Sequence, residues 1–265
     1  MFPLGRKKPS LVGLDISSTS IKLIELSKTG SGYKVESYAV EPLPAGAVVE
    51  KQISDVSAVA NAISNAVKKA DIKTSRCALA VPSSAAITKQ IVMAANLSET
   101  EIEAQIELEA DQYIPFSVDE VNLDFEILGT NLNNPNSIDV LLAASRTENV
   151  DSRSATAEAA GLQPAVMDIE SFATANAFEL IAHDIGIEDQ QVVAIIDIGA
   201  TMTSVAVVQS GQVLYTREQR FGGQQLTEDI MRRYGLSYAE AGREKKEGGL
   251  PDNYVTEVLE PFKEA

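Results

Sequence analysis

Two aspartates, each closing an apolar run and each followed by a turn of small residues, are the positions best suited to chemistry. Residues 11–26 read LVGLDISSTSIKLIEL and residues 193–208 read VAIIDIGATMTSVAVV, so Asp15 recurs as Asp197, 182 positions later. The same alignment matches Ile16 with Ile198, Thr19 with Thr201 and Leu23 with Val205. Turns of small residues present backbone N–H groups and hydroxyls to phosphate oxygens. The first turn supplies Ser17, Ser18, Thr19 and Ser20, with Lys22 seven residues after Asp15; the second supplies Gly199, Ala200, Thr201 and Thr203. Two carboxylates facing each other at about 4 Å repel by ~4 kcal/mol at an effective dielectric of 20. A cation between them removes that penalty, and magnesium carried on a nucleotide meets the need. The expectation is a clamp for a magnesium-bound polyphosphate, with Asp15 and Asp197 acting through the metal. The simpler alternative, two solvent-facing strand ends, leaves the repeated spacing unexplained.

The elements that must hold these turns follow from periodicity. Residues 11–16, 20–28 and 33–41 read as three successive strands, with Gly30 and Gly32 at the second bend. Beyond the break at Pro42–Pro44, Val56, Val59, Ala60, Ile63 and Val67 recur at helical spacing, and strand CALAV (77–81) follows. Next comes strand AITKQIVMA, then Ser98 with Glu101 three residues later, a capping box that opens a helix carrying Ile102, Ile106 and Ala110. Strands at 122–128 and 137–145, a helix at 147–160 and strand PAVMDI complete a β-α-β-β-type insertion. Helix 171–185 leads to the second strand–Asp–turn–strand copy, strand QVLYTREQ and a helix at 224–234 after Gly222-Gly223. Helices SYAEAGREKKEG and 253–264 end the chain. The pattern predicts an α/β fold divided as 1–85 (first lobe), 86–165 (insertion), 166–190 (connecting helix of the first lobe) and 191–265 (second lobe).

Composition narrows the function classes. At 265 residues with 45% apolar and 23% charged side chains, the chain has the balance of a globular protein. A net charge of −16 opposes a general nucleic-acid grip. Eleven Asp or Glu and no Lys or Arg lie between Gln90 and Ser145, which suits either a solvated face or a docking face for a cationic segment. The single cysteine, Cys77, excludes an internal disulfide framework and fits a reducing cytosol. No apolar stretch reaches the roughly 20 residues of a membrane span, and the basic trio Arg6, Lys7 and Lys8 lacks the apolar core of a secretory signal.

The motifs LDISSTSIK and IDIGATMTSV resemble the two phosphate motifs of the actin, heat-shock chaperone and sugar kinase superfamily. Within it the chain is identified as a member of the PilM family, the actin-like proteins of the type IV pilus inner-membrane assembly platform. The likeness rests on LDISSTSIKLIEL, VPSSAAITKQI, DQYIPFSVDEV, MDIESFATANAFEL, DIGATMTSVAVV and RFGGQQLTEDI, in that order. It implies a duplicated, ribonuclease-H-like actin fold with an FtsA-like inserted subdomain and ATP with magnesium in the cleft. Asp15 and Asp197 would act through magnesium. Ser17, Ser18, Thr19, Ser20 and Lys22 would hold phosphates from one lobe, and Gly199, Ala200, Thr201 and Thr203 from the other. Gly222 and Gly223 match a turn that approaches the nucleotide. Glu170 matches a carboxylate that orders magnesium and water in the chaperones, and Lys245, with its charged neighbours, matches adenosine contacts.

The same resemblance implies capture of the N-terminal cytoplasmic tail of PilN, and the membrane reached only through that partner. It also implies contact with other pilus assembly proteins, and a cytoplasmic protein peripheral to the inner membrane that serves assembly and twitching motility. Ser17, Thr19 and Ala200 stand where glycines are common, so at most slow ATPase activity is expected. The glycine-rich adenosine motif expected after a further strand does not occur before Ala265, so the C-terminal part is expected to be truncated and the adenine side open. Two other classes fit the phosphate motifs: an FtsA-like membrane-tethered filament protein, and a small-molecule kinase using Glu170.

Overall fold

The structure, a computed structural model, describes residues 11–30, 32–188 and 190–264. The N-terminal basic trio lies outside them. Two compact units are distinguished, Met1–Ile187 and Glu188–Ala265.

In the first unit, β1 (Val12–Ile16), β2 (Ser20–Lys28) and β3 (Tyr33–Pro42) form an antiparallel meander. A small hairpin follows, β4 (Val48–Val49) and β5 (Gln52–Ile53), then helix α1 (Val56–Lys69) and strand β6 (Arg76–Val81). Helix α1 begins where Asp55 accepts a hydrogen bond from the Ala58 N–H at 2.9 Å, satisfying a donor that a helix start leaves unpaired. Strand β6 joins β1 in parallel. The alternation of β1 and β2 turns Val12, Leu14, Ile16, Ile21 and Leu23 inward, against Val59, Ile63 and Ala66 of α1.

The chain then builds a separate layer from β7 (Ala86–Ala94), α2 (Glu99–Tyr113), β8 (Val121–Thr130) and β9 (Ser137–Arg146). Its three strands are antiparallel in the order β7-β9-β8, and Ile102 and Ile106 of α2 close one face over Ile91, Met93, Val140 and Leu142. The capping box forms as the sequence suggests: Ser98 N–H donates to Glu101 Oε2 at 2.8 Å, and Glu101 N–H donates to Ser98 Oγ at 3.4 Å. The Ser98 N–H, and then the Ser98 hydroxyl donating to Oε2 at 2.7 Å, hold the Glu101 carboxyl below its ordinary pKa.

Helix α3 (Thr147–Ala159) returns to the first sheet, where Ala157 and Leu162 join the core beside α1. Strand β10 (Gln163–Ile169) then pairs in parallel with β6, giving the order β10-β6-β1-β2-β3, and helix α4 (Glu170–Ala182) leaves its end.

The second unit repeats the meander as β11 (Val193–Ile198), β12 (Thr203–Gln209) and β13 (Gln212–Gln219), all antiparallel. Helices α5 (Gly223–Tyr234) and α6 (Tyr238–Glu247) pack with a π-helical turn, Val255–Leu259, around Ile230, Ala241 and Val258. The last helix, α7 (Glu260–Glu264), stacks Phe262 on Phe221 at 4.5 Å. The helix expected over 253–264 is present from Tyr254 to Glu264, with Val255–Leu259 as a π turn inside it. No helix among the described residues is long and apolar enough to cross a membrane.

Candidate functional site

The duplication read from the sequence is present in the hydrogen-bond register. Every β1–β2 pair has its counterpart in β11–β12: Val12 with Glu25 becomes Ala194 with Val207, Asp15 with Lys22 becomes Asp197 with Ser204, and Ile16 with Ile21 becomes Ile198 with Thr203. Both turns close alike, Ser17 N–H donating to Ser20 O at 3.1 Å and Gly199 N–H to Met202 O at 2.9 Å.

The turns differ in what fills them. In the first, the Ser17 hydroxyl donates to the same Ser20 carbonyl at 2.9 Å and lies 3.3 Å from the Ser20 hydroxyl. The side chain thereby completes a turn that a glycine would leave looser. The Leu43 N–H donates to Thr19 O at 2.9 Å, so the third strand braces the turn. The exposed Thr19 amide and hydroxyl have no hydrogen-bond partner among the described residues, leaving two donors for a phosphate. Lys22, directly opposite Asp15, donates to its Oδ2 at 2.7 Å. Both side chains are half exposed, so the pair is weakly held and both groups stay accessible to an incoming ligand.

The second turn is packed from outside. Gly223 N–H donates to Gly199 O at 2.9 Å and Gln224 N–H to Ala200 O at 2.8 Å, so the start of α5 is fastened to the turn. A Cβ on Gly222 would lie 2.5 Å from Ala200 O and 2.6 Å from Gly199 O, and one on Gly199 would lie 2.7 Å from Met202 O. Close backbone approach is therefore what these glycines allow. The Thr203 hydroxyl donates to Phe221 O at 2.7 Å. Lys245, on α6, donates to Gly223 O and to Thr227 Oγ1, each at 2.7 Å. Desolvation, and then the neighbouring Lys246, lower its pKa. Several predicted phosphate-binding residues of this half thus brace the Gly222–Gly223 loop. Arg243 and Glu244 instead line an open depression of about 340 Å³ with Tyr234, Leu236, Leu250 and Pro251.

Glu170, the first residue of α4, lies in the first unit and is bound by a partner the sequence reading missed. Lys51 Nζ donates to Glu170 Oε2 at 2.5 Å across 119 residues, with side chains only 15% and 28% exposed. Arg153 of α3, also missed, is 3% exposed and donates to the Lys51 carbonyl at 2.7 Å. Burial lowers its pKa, while the charges of Glu170 and Asp15 oppose that shift. The α4 start is capped independently, since Ser171 N–H donates to Ser83 Oγ at 3.1 Å. Lys51 was illegible because its hairpin turn, Glu50-Lys51, has left-handed φ of 51° and 63° at residues with none of the usual Asn or Gly signature. Arg153 sits in a helix of ordinary polar composition.

A metal fits this donor set only in one form. Among the described residues no group of three or more His, Cys, Asp or Glu side chains could hold a metal ion. Asp15 beside the Thr19 donors suits magnesium, which keeps several waters and takes one or two carboxylates plus substrate phosphates.

Comparison with known proteins agrees with these motifs. A solved chain of a PilM-PilN type IV pilus biogenesis complex superposes with a TM-score of 0.75 at 28% identity, over 96% of this chain and 74% of that one. The ethanolamine utilization protein EutJ from Carboxydothermus hydrogenoformans superposes with a TM-score of 0.53 at 17% identity, over 91% of this chain and 62% of that one. The fold is that of the actin-like ATPases. The family profile described as Type IV pilus assembly protein PilM matches residues 13–265, and the chain belongs to that family.

Proposed function

We propose that this protein is an actin-like, ATP-binding adaptor of type IV pilus assembly that captures the N-terminal cytoplasmic tail of PilN. It would work in the cytoplasm, reaching the inner membrane through that partner. The observation that carries this reading is the family match over residues 13–265, joined to the 0.75 superposition on a chain of a PilM-PilN complex. Neither the FtsA-like filament nor the small-molecule kinase is favoured by that match.

In this reading the first unit contributes Asp15, the Thr19 donors, Ser20 and Lys22 to the phosphates, and Glu170 would order magnesium and water. The second unit contributes Asp197 and the turn Gly199–Thr203, held in shape by Gly222, Gly223 and Lys245. Magnesium, when bound with the nucleotide, neutralises phosphate charge that the two aspartates would otherwise repel. Among the described residues the Lys22 ammonium pairs with Asp15 alone, so it can pass to a phosphate without giving up another hydrogen bond. The first turn is closed by its own serine hydroxyl and the second is fastened to the start of α5, which favours nucleotide as a structural ligand over rapid turnover. The acidic insertion supplies charge complementarity to a basic tail.

A labelled peptide with the sequence of the PilN N-terminal tail tests the adaptor role. Saturable binding in the micromolar range or tighter is expected, strengthened by Mg-ATP if the two events are linked. A peptide that fails to bind with or without nucleotide removes the adaptor role.

A further inference from the structure

The second turn is tied to α6 through Lys245, the residue that the actin-like resemblance places against adenosine. Its ammonium lies instead among protein oxygens, donating to Gly223 O and to Thr227 Oγ1, each at 2.7 Å. The Thr227 hydroxyl, on a residue 3% exposed, in turn donates to Gly223 O at 2.9 Å. Gly223 thus receives the ammonium and the hydroxyl on its carbonyl, while its own N–H donates to Gly199 O at 2.9 Å. A Cβ on Gly223 would lie 3.5 Å from the ammonium and 3.8 Å from Gly199 O, so both pack against the same glycine. The next residue, Gln224, adds its own N–H bond to Ala200 O. Hydrogen bonds from a charged donor are stronger than neutral ones, and here they fix the start of α5 where it meets the turn.

We infer that Lys245 is a positioning residue of the second phosphate turn: acting through Gly223, it holds the turn Gly199–Thr203 ready for phosphates and takes no part in reading the adenine base. The inference rests on the proposed ATP-binding reading and sharpens its ligand, since the contribution of Lys245 is then to the polyphosphate chain, whatever nucleoside that chain carries. Without the ammonium, Gly223 O and Thr227 Oγ1 each lose a charged donor. The start of α5 loosens, the Gly199 and Ala200 carbonyls lose fixed partners, and the turn must be ordered at the moment of binding, which weakens it.

The test compares magnesium-loaded ATP with magnesium-loaded inorganic tripolyphosphate by calorimetry, beside amide exchange of the ligand-free protein. Lys245→Met is expected to weaken both ligands by the same factor, about tenfold. It should also speed exchange at Gly223 and Gln224 by about tenfold, while Ile230, in the core of this unit, keeps its protection. Thr227→Val removes the hydroxyl and keeps the ammonium; it is expected to weaken both ligands equally, by about threefold, and keeps the inference testable if Lys245→Met fails to fold. Weakening of ATP alone returns Lys245 to adenosine and overturns the inference, as does unchanged affinity for both ligands. Weakening of both with unchanged exchange means direct contact with phosphate and overturns it as well. Wild-type protein that binds ATP but not tripolyphosphate overturns the inference while ATP binding stands. Wild-type protein that binds neither ligand overturns the ATP-binding reading and this inference together.

Discussion

The two strand–Asp–turn–strand copies share a register pair for pair, yet their surroundings treat the same positions in opposite ways. Ile16 is 7% exposed beneath α1, whereas Ile198, its counterpart, is 64% exposed. Ser17 closes one turn with its hydroxyl, while Gly199 in the equivalent place has backbone packed against it. Asp15 faces Lys22, while Asp197 faces Ser204. A duplicated sequence thus preserves strand pairing and turn closure, which are local. It leaves cover and bracing to whatever segment each copy meets, and charge to the residue that stands opposite the aspartate.

The largest test of that contrast is truncation of the paired isoleucines. Ile16→Ala is expected to cost about 2–5 kcal/mol, because a buried side chain loses its contacts and leaves a cavity. Ile198→Ala should stay within about 0.5 kcal/mol, as exposed substitutions do. Urea denaturation followed by circular dichroism measures both, and equal losses would erase the contrast in cover.

Backbone bracing comes next in size. Gly222→Ala is expected to lose about 1–3 kcal/mol by forcing the loop off the Gly199 and Ala200 carbonyls. Faster amide exchange at Gly223 and Gln224, the donors to those carbonyls, is the signature. In the other copy, Ser17→Gly forfeits one hydroxyl hydrogen bond and is expected to cost about 0.5–1.5 kcal/mol, read as a smaller drop in thermal midpoint.

Much of the first unit was legible because its signals are local. The alternation of Val12, Leu14 and Ile16 gave the inward face of β1. The Ser98–Glu101 spacing gave the start of α2, and the recurrence of Asp15 as Asp197 gave the hairpin register. The hairpin at Val48–Ile53 was missed, because four strand residues around Glu50-Lys51 carry no turn signature. Lys51 and Arg153 escaped with it, since their meaning comes from contacts across about a hundred residues. The sequence also assigned Lys245 to the nucleotide, where the structure has it donating to Gly223 and Thr227.

Smaller effects sharpen the picture. Lys22→Ala should change stability by no more than about 0.5 kcal/mol, since its pair with Asp15 is half exposed. Cys77 is fully buried and its thiol is pushed up to about 11, so a thiol reagent at pH 8 should leave the native protein unlabelled. Labelling should appear only with denaturant that opens the first unit, and rapid native labelling would contradict the packing of β6 in the core of that unit.

The most direct measurement is the affinity for Mg-ATP of the wild type beside Asp15→Asn and Asp197→Asn, by calorimetry. If the two copies share one task, the wild type binds and each substitution weakens binding by about tenfold or more, although the two aspartates lie in different units and face different neighbours. Wild-type affinity retained in both variants would contradict a common role for the paired turns.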